Sequence, residues 1–283
     1  PFTQRLVRGA FYWALEGRVV GFALHPRLMK MVQKIALRHL RKQVARPSLR
    51  KTLTPDYTIG CKRVLISNDY YPALSRSNVE VVTDTVLRIE ADGVITSDGI
   101  KHPADCLIFG TGFQATDPLP RDCIIGRDGI DLMDAWRDGA HAYKGTTVPG
   151  YPNLFLIVGP NTGLGHNSMI LMIEAQVAYI LDALKHMQHQ RIATVEVKPA
   201  VEQAYNQQLQ DKLKHTIWNT GGCQSWYLDP RTGKNTTLWP GSTWRFKQVT
   251  RHFALKDYLA NPLPASAPRA VVAPQPTAEG SLS

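Results

Sequence analysis

The chain has 283 residues, 43% apolar and 20% charged, which suits a soluble α/β fold of one large domain or parts of two. Its net charge is +10, from 33 basic against 23 acidic residues, and much of the excess lies in the first 51 positions, as at Arg38, Arg41, Lys42, Arg46, Arg50 and Lys51. That balance favours polyanionic small molecules. Nucleic acid would suit the charge as well, but no recognised binding module occurs, so the reading is of no nucleic-acid partner.

Gln4 to Val44 reads as two or three helices. Val7, Phe11, Tyr12 and Leu15 sit at near-helical spacing, and Leu28, Met31, Val32, Ile35, Leu37 and Leu40 form a second set. The face around Arg38 to Lys42 is strongly basic. It suits peripheral contact with an anionic membrane or, as the favoured reading, a helical insertion within a larger domain. Glu16, Arg18, His25 and Arg27 interrupt any run long enough to span a bilayer, and no signal peptide pattern is present.

Leu53 to Arg63 leads through Gly60-Cys61-Lys62-Arg63 to Asp69-Tyr70-Tyr71 and Asn78-Val79-Glu80. By itself the Lys62-Arg63 pair reads as a solvated surface pair. Val81-Val82, Val86 to Ile89 and Val94 to Thr96 form candidate strands of a meander, with turns at Asp92-Gly93 and Asp98-Gly99. The apolar run Cys106-Leu107-Ile108-Phe109 then reads as a buried strand entering the turn Gly110-Thr111-Gly112-Phe113, followed by the polar Gln114 to Asp117. Glycine is favoured where backbone must approach a ligand closely.

The design repeats at 152–168. A buried strand at Leu154 to Val158 enters the loop Gly159-Pro160-Asn161, and Asn167 or Ser168 caps a helix carrying Met169, Ile170, Met172, Ile173, Val177, Ile180, Leu181 and Leu184. The exposed N–H groups of such a helix start make an anion site. A helix near Ala200 to His215 follows. Trp218, Trp226, Trp239 and Trp244 read mainly as packing residues. From Asn261 onward Pro, Ala and Ser predominate, which predicts a disordered tail. Cys61, Cys106, Cys123 and Cys223 are widely spaced without C-x-x-C, so they suggest neither a zinc site nor a disulfide framework and point to a reducing, cytoplasmic compartment.

Taken in order, Gly60-Cys61-Lys62-Arg63 with Tyr70-Tyr71, Asn78-Val79-Glu80, Asp105 to Ile108 with Gly110-Thr111-Gly112-Phe113, Pro152-Asn153-Leu154-Phe155 with Gly159-Pro160, and Cys223-Gln224-Ser225-Trp226-Tyr227 with Gly233-Lys234-Asn235 resemble the C-terminal half of flavin-dependent class B monooxygenases, in the Baeyer-Villiger branch that includes 4-hydroxyacetophenone monooxygenase. The match covers roughly residues 51 to 245. One departure is Gly110, where the family usually has alanine. No G-x-G-x-x-G occurs, whereas the family carries two such fingerprints. The expectation is therefore an incomplete Rossmann-like flavoprotein fold with two dinucleotide-binding domains and a helical N-terminal segment. Residues 1–50 and 51–113 would belong to the NADPH-binding domain, 114–260 to the FAD-binding domain and 261–283 to the tail.

The resemblance implies FAD and NADPH as cofactors, and insertion of one oxygen atom of O2 into a ketone through a C4a-peroxyflavin. It implies Arg63 as the cation that holds the peroxyanion, Lys62 on the NADPH 2′-phosphate, and Gly110, Thr111, Gly112, Gly159, Pro160, Asn161 and Trp226 as cofactor-binding residues, Trp226 on a mobile segment closing over the nicotinamide. Alternatives are a flavin monooxygenase oxidising nitrogen or sulfur in xenobiotics, and a non-catalytic fragment. With both fingerprints absent, the chain alone is expected to bind FAD weakly.

Overall fold

The computed structural model describes residues 2–112 and 119–264. Phe113, the stretch Gln114 to Asp117 and the tail from 265 lie outside them. The N-terminal segment is helical as the spacing predicts: α1 (Phe2–Gly17) and α2 (Met29–Gln43), separated by a distorted helical turn at Val20–Leu24, then the short α3 (Pro47–Thr52) and α4 (Tyr70–Leu74). Leu40, Val44 and Leu49 make a small local core beneath Tyr71 and Val81. No helix of the described residues is long and apolar enough to cross a membrane.

The predicted meander forms as an antiparallel sheet of β1 (Val86–Glu90), β2 (Gly93–Thr96) and β3 (Lys101–Pro103) in that order. It is shifted toward the C-terminus of the expectation, because Val81 and Val82 stay outside it. The strand expected at Cys106 to Phe109 is absent. These residues are extended coil, with Ile108 93% and Phe109 70% exposed. The physical reason is pairing: no described strand bonds to this run, so its apolar side chains have no sheet to be buried in. Leu154 to Val158 also forms no regular strand. Its ladder is replaced by single bonds such as Leu156 N–H to the Thr146 carbonyl at 2.8 Å, and Val158 adopts a left-handed conformation.

The C-terminal part carries most of the core. It contains α5 (Leu132–Ala135), α6 (Met169–His189), β4 (Ile192–Val197), α7 (Pro199–Leu213), α8 (Ile217–Thr220), α9 (Thr243–Val249) and β5 (Tyr258–Pro262). β4 pairs with β5 antiparallel, so Asn261 and Pro262 belong to a strand and the tail begins later than expected. Val19, Ala23 and Met29 reach from the N-terminal segment into a core with Leu164, Met172, Leu213, Trp218, Tyr227, Leu238, Trp239 and Phe246. Trp218 and Trp239 are buried, whereas Trp226 and Trp244 are half exposed, so packing accounts for two of the four.

The cysteines correct the sequence reading. Cys61 and Cys223, 162 residues apart with Cα atoms 6.1 Å from each other, are disulfide-bonded, while Cys106 and Cys123 are free and exposed. Spacing cannot reveal a pair brought together only by tertiary structure. On loop-closure entropy a cross-link of this span is worth about 5 kcal/mol relative to the reduced unfolded chain.

Two buried charges generate predictions. Glu16, 4% exposed, accepts from the Thr243 N–H at the start of α9, from the Thr243 hydroxyl, and from Asn167 Nδ2 at 2.8 Å, tying α1 to the starts of α6 and α9. Glu16→Ala orphans these donors and is expected to cost about 2 kcal/mol or more in urea denaturation, with Glu16→Gln intermediate. A loss no larger than for an exposed glutamate on the same helix would contradict this.

Lys144, 6% exposed, has its ammonium 4.5 Å from the Tyr179 ring and 5.0 Å from the Tyr143 ring. Burial lowers its pKa to about 8, against a weaker upward pull from Asp257. The unfolded chain therefore binds more protons than the folded one from about pH 8 up to the ordinary lysine range near 10.5, and wild-type stability rises across that window. Lys144→Met removes the buried charge. It is expected to be more stable than wild type below pH 8, by at most about 3 kcal/mol less the lost cation–π attraction. That advantage should shrink between pH 8 and 10.5, and urea midpoints showing a pH-independent difference would overturn the assignment.

Candidate functional site

Three segments far apart in sequence meet on one side of the main core: the loop 57–63, the loop 159–168 and the segment 221–228. The central one is pinned first. Asn161, 3% exposed, donates from its backbone N–H to Thr236 O at 2.8 Å and from Nδ2 to Asn235 O and Leu238 O at 2.7 and 3.1 Å. Gly163 N–H to Thr237 O and Trp239 N–H to Gly163 O, both 2.8 Å, continue the ladder. Thr162 donates its hydroxyl to Gly159 O at 2.7 Å. Gly159 is needed for close packing: a Cβ there would collide with the Gly145 carbonyl, and a Cβ on Gly145 would come within 2.8 Å of Pro160 O. Gln176, fully buried on α6, clamps the same contact. It donates to Gly145 O at 2.8 Å and accepts from Val158 N–H at 2.9 Å.

Beyond this anchor the loop runs into α6, which Ser168 caps by accepting from Ile170 N–H, as the sequence predicts. Leu164 is buried in the core, leaving its carbonyl to accept from Arg63 Nη1 at 3.4 Å. Burial pushes the Tyr227 phenol up, and the neighbouring Arg63 guanidinium opposes that shift. Lys62 goes elsewhere, its ammonium 4.9 Å from the Tyr57 ring centroid. Asp69, the carboxylate that would make Arg63 an ordinary surface pair, instead accepts from the Ser67 hydroxyl at 2.6 Å. Trp226, about half exposed, lies with its ring 4.5 Å from that of Tyr227.

Of the expected site residues, Arg63 meets the loop that holds Gly159, Pro160 and Asn161 at its Leu164 carbonyl, Trp226 adjoins the Tyr227 beside it, and Lys62 turns away to Tyr57. Gly110, Thr111 and Gly112 are fully exposed, and a Cβ on either glycine would meet nothing within 4 Å. Sequence reading missed Gln176, Tyr227, the Leu164 carbonyl and His166. A glutamine inside an apolar helical stripe was the one available signal, since a buried polar side chain must find partners. His166 is 4% exposed and neither ring nitrogen has a hydrogen-bond partner among the described residues. The same holds for Asn161 Oδ1. Burial depresses the His166 pKa, with Glu16 pulling the other way. Buried polar atoms left unpaired cost about 1–3 kcal/mol each, so the His166 ring and the Asn161 oxygen, both on the 159–168 loop, each suit a polar ligand group. No group of acidic, His and Cys side chains among the described residues could hold a metal ion.

No protein-family model matches the sequence. Among curated proteins, it is 52% identical over 267 residues to a Baeyer-Villiger monooxygenase of Pseudomonas aeruginosa and 42% identical over 267 residues to one of Streptomyces coelicolor, covering 94% of this chain and 51% of each relative. The chain therefore spans about half the length of these relatives. Among solved structures, cyclohexanone monooxygenase from Rhodococcus sp. Phi1 bound to NADP+ superposes with a TM-score of 0.74 at 25% identity, over 85% of this chain and 46% of that one. An oxidized steroid monooxygenase bound to NADP has the same TM-score at 24% identity, over 86% of this chain and 47% of that one. The fold is accordingly that of the Rossmann-type flavin monooxygenases, here in part, and over the stretch it spans the chain is similar to Baeyer-Villiger monooxygenases.

Proposed function

We propose that this chain forms the cation-bearing part of a cytoplasmic FAD- and NADPH-dependent monooxygenase that inserts one oxygen atom of O2 into a ketone. The observation that carries the reading is Arg63, aimed at the Leu164 carbonyl beside Tyr227 and unclaimed by Asp69. The names of the curated relatives support the reaction class, and structures solved with NADP support the cofactor.

In this reading the orphaned nitrogens of His166 and the Asn161 oxygen, next to the start of α6, suit the polar edge of a flavin. FAD would supply the oxygen-activating redox chemistry. Arg63 holds negative charge next to the reacting oxygen, since its guanidinium stays protonated and presents a planar fork. Lys62 points away from it and suits the 2′-phosphate of NADPH. Trp226 sits on a glycine-flanked segment suited to closing over the cofactor. Gly110-Thr111-Gly112 lines the site once the neighbouring run acquires a sheet partner.

That partner is the remainder of the protein. Val64 to Ile66, Leu107 to Phe109 and Ile157 to Val158 are exposed apolar runs, and α6 keeps a second apolar stripe of Ile170, Val177, Leu181 and Leu184 open. A second apolar stripe left open on a helix suits a face that packs against further chain. The domain boundaries at 50 and 113 stand as part of this proposal, with the last one moved past the end of β5 at Pro262. The face of Phe2, Leu6 and Trp13 on α1 suits either the same cover or peripheral membrane contact.

The test uses a polypeptide that restores the length of the relatives. Arg63→Ala is expected to abolish ester formation while NADPH oxidation persists, because losing one preorganised charge contact at a developing anion costs about 10²- to 10³-fold. Lysine should rescue poorly. Unchanged ester yield per NADPH consumed would remove Arg63 from catalysis and favour nitrogen or sulfur oxidation instead.

Lys62→Ala should raise the Michaelis constant for NADPH roughly 10- to 150-fold, the worth of one charge-assisted contact, and leave that for NADH nearly unchanged. Equal effects on both would sink the phosphate assignment.

A further inference from the structure

The disulfide joins the two segments whose relative position sets the site. Cys61 is completely buried and immediately precedes Lys62 and Arg63. Cys223 is partly exposed and lies three residues before Trp226. The surrounding contacts between these segments are few. Thr58 N–H donates to Gly221 O at 2.9 Å, and Gly221 lies so close that a Cβ there would come within 2.6 Å of Cys61 Cβ. Gly222, in a left-handed conformation, follows and leaves the backbone free to turn away. Outside the sulfur–sulfur bond, the 223–226 stretch is anchored lightly: Cys223, Gln224, Ser225 and Trp226 are all partly or fully exposed, and the buried side chain that holds the segment down is Tyr227.

We propose that Cys61–Cys223 is a reversible thiol–disulfide site that controls the 222–226 segment, up to the buried Tyr227 anchor, oxidised holding it against the Lys62-Arg63 loop and reduced releasing it. Thiol–disulfide exchange needs an approach to one member of the pair, and Cys223 is the partly exposed one. The thiolate of a small dithiol attacks Cys223 Sγ, on the partly exposed member of the pair. A mixed disulfide forms and Cys61 Sγ leaves as a thiolate, which takes up a proton. The second thiol of the reductant then attacks its own sulfur in the mixed disulfide and expels Cys223 Sγ, which is protonated in turn. The chain gains two electrons and two protons, and the dithiol becomes a disulfide. Release leaves Lys62, Arg63 and Trp226 on separately mobile segments. The consequence for cofactor binding rests on the functional reading above, whereas the switch itself does not.

The experiment uses the whole chain with Cys106→Ser and Cys123→Ser, so that only the pair reports. Thiol titration after denaturation should count none in the oxidised protein and both after native treatment with dithiothreitol, with oxidised glutathione restoring the first state. Chymotrypsin should cut after Trp226 several-fold faster in the reduced form. Cys61→Ser with Cys223→Ser should be cut at the reduced rate whatever the redox buffer. Thermal melts of both forms confirm that the fold survives reduction, which keeps nicking separate from global unfolding. Two free thiols in the oxidised preparation would overturn the proposal, as would reduction that proceeds only in denaturant, or equal nicking of both forms. In the length-restored enzyme, reduction should weaken NADPH binding. Reversible nicking control without any change in NADPH binding would leave the switch standing and refute the cofactor reading instead.

Discussion

The buried amide of Asn161 is the constraint on which the site depends. A glycine- and proline-rich loop has no ladder of its own, and its backbone groups must be satisfied if it is to lie inside the protein. Asn161 solves this by spending both Nδ2 hydrogens on Asn235 O and Leu238 O while its backbone joins the 236–239 run. Once that loop is fixed, Leu164 is buried and its carbonyl faces Arg63. Ser168 is then in position to start α6, and Gln176 one helix face later closes on the Gly145–Gly159 contact. Each element of the site is placed by the one before it.

The electrostatics follow from the same burial. Arg63, an exposed residue, donates to the Leu164 carbonyl beside the Tyr227 phenol, while Asp69 is engaged by the Ser67 hydroxyl. Glu16 is treated in the opposite way. It is sunk among neutral donors at the starts of two helices, where N–H groups stabilise a carboxylate and hold the N-terminal helix to the C-terminal core. Lys144 is the costly case, a cation compensated mainly by aromatic faces.

The chain is closed on its C-terminal side and open elsewhere. The core around Trp218, Tyr227 and Phe246 is fully enclosed, yet strongly apolar runs at 64–66 and 107–109 face solvent. Apolar strands of that kind are stable only when a neighbour completes their hydrogen bonds and covers their side chains. The relatives are about twice as long as this chain, and in the proposed reading these exposed runs are the seam for that further length.

The sequence by itself determined the helices and the family likeness. α6 with its Ser168 cap, α7, the basic N-terminal helices and the meander turns at Asp92-Gly93 and Asp98-Gly99 were legible because their signals are local: periodicity, a capping side chain, a glycine in a tight turn. The ordered motifs also pointed to the family, and Lys62, Arg63 and Trp226 to the site. Tertiary structure alone decided the rest. Strands at 106–109 and 154–158 depend on partners that may lie anywhere in a polypeptide, and local composition cannot supply them. Cys61 and Cys223 stand 162 residues apart, so only folding could reveal their bond. The alignment of Arg63 with Leu164 and Tyr227, and the burial of His166 without partners, likewise arise from long-range contacts, whose energies are set by packing rather than by neighbours in sequence.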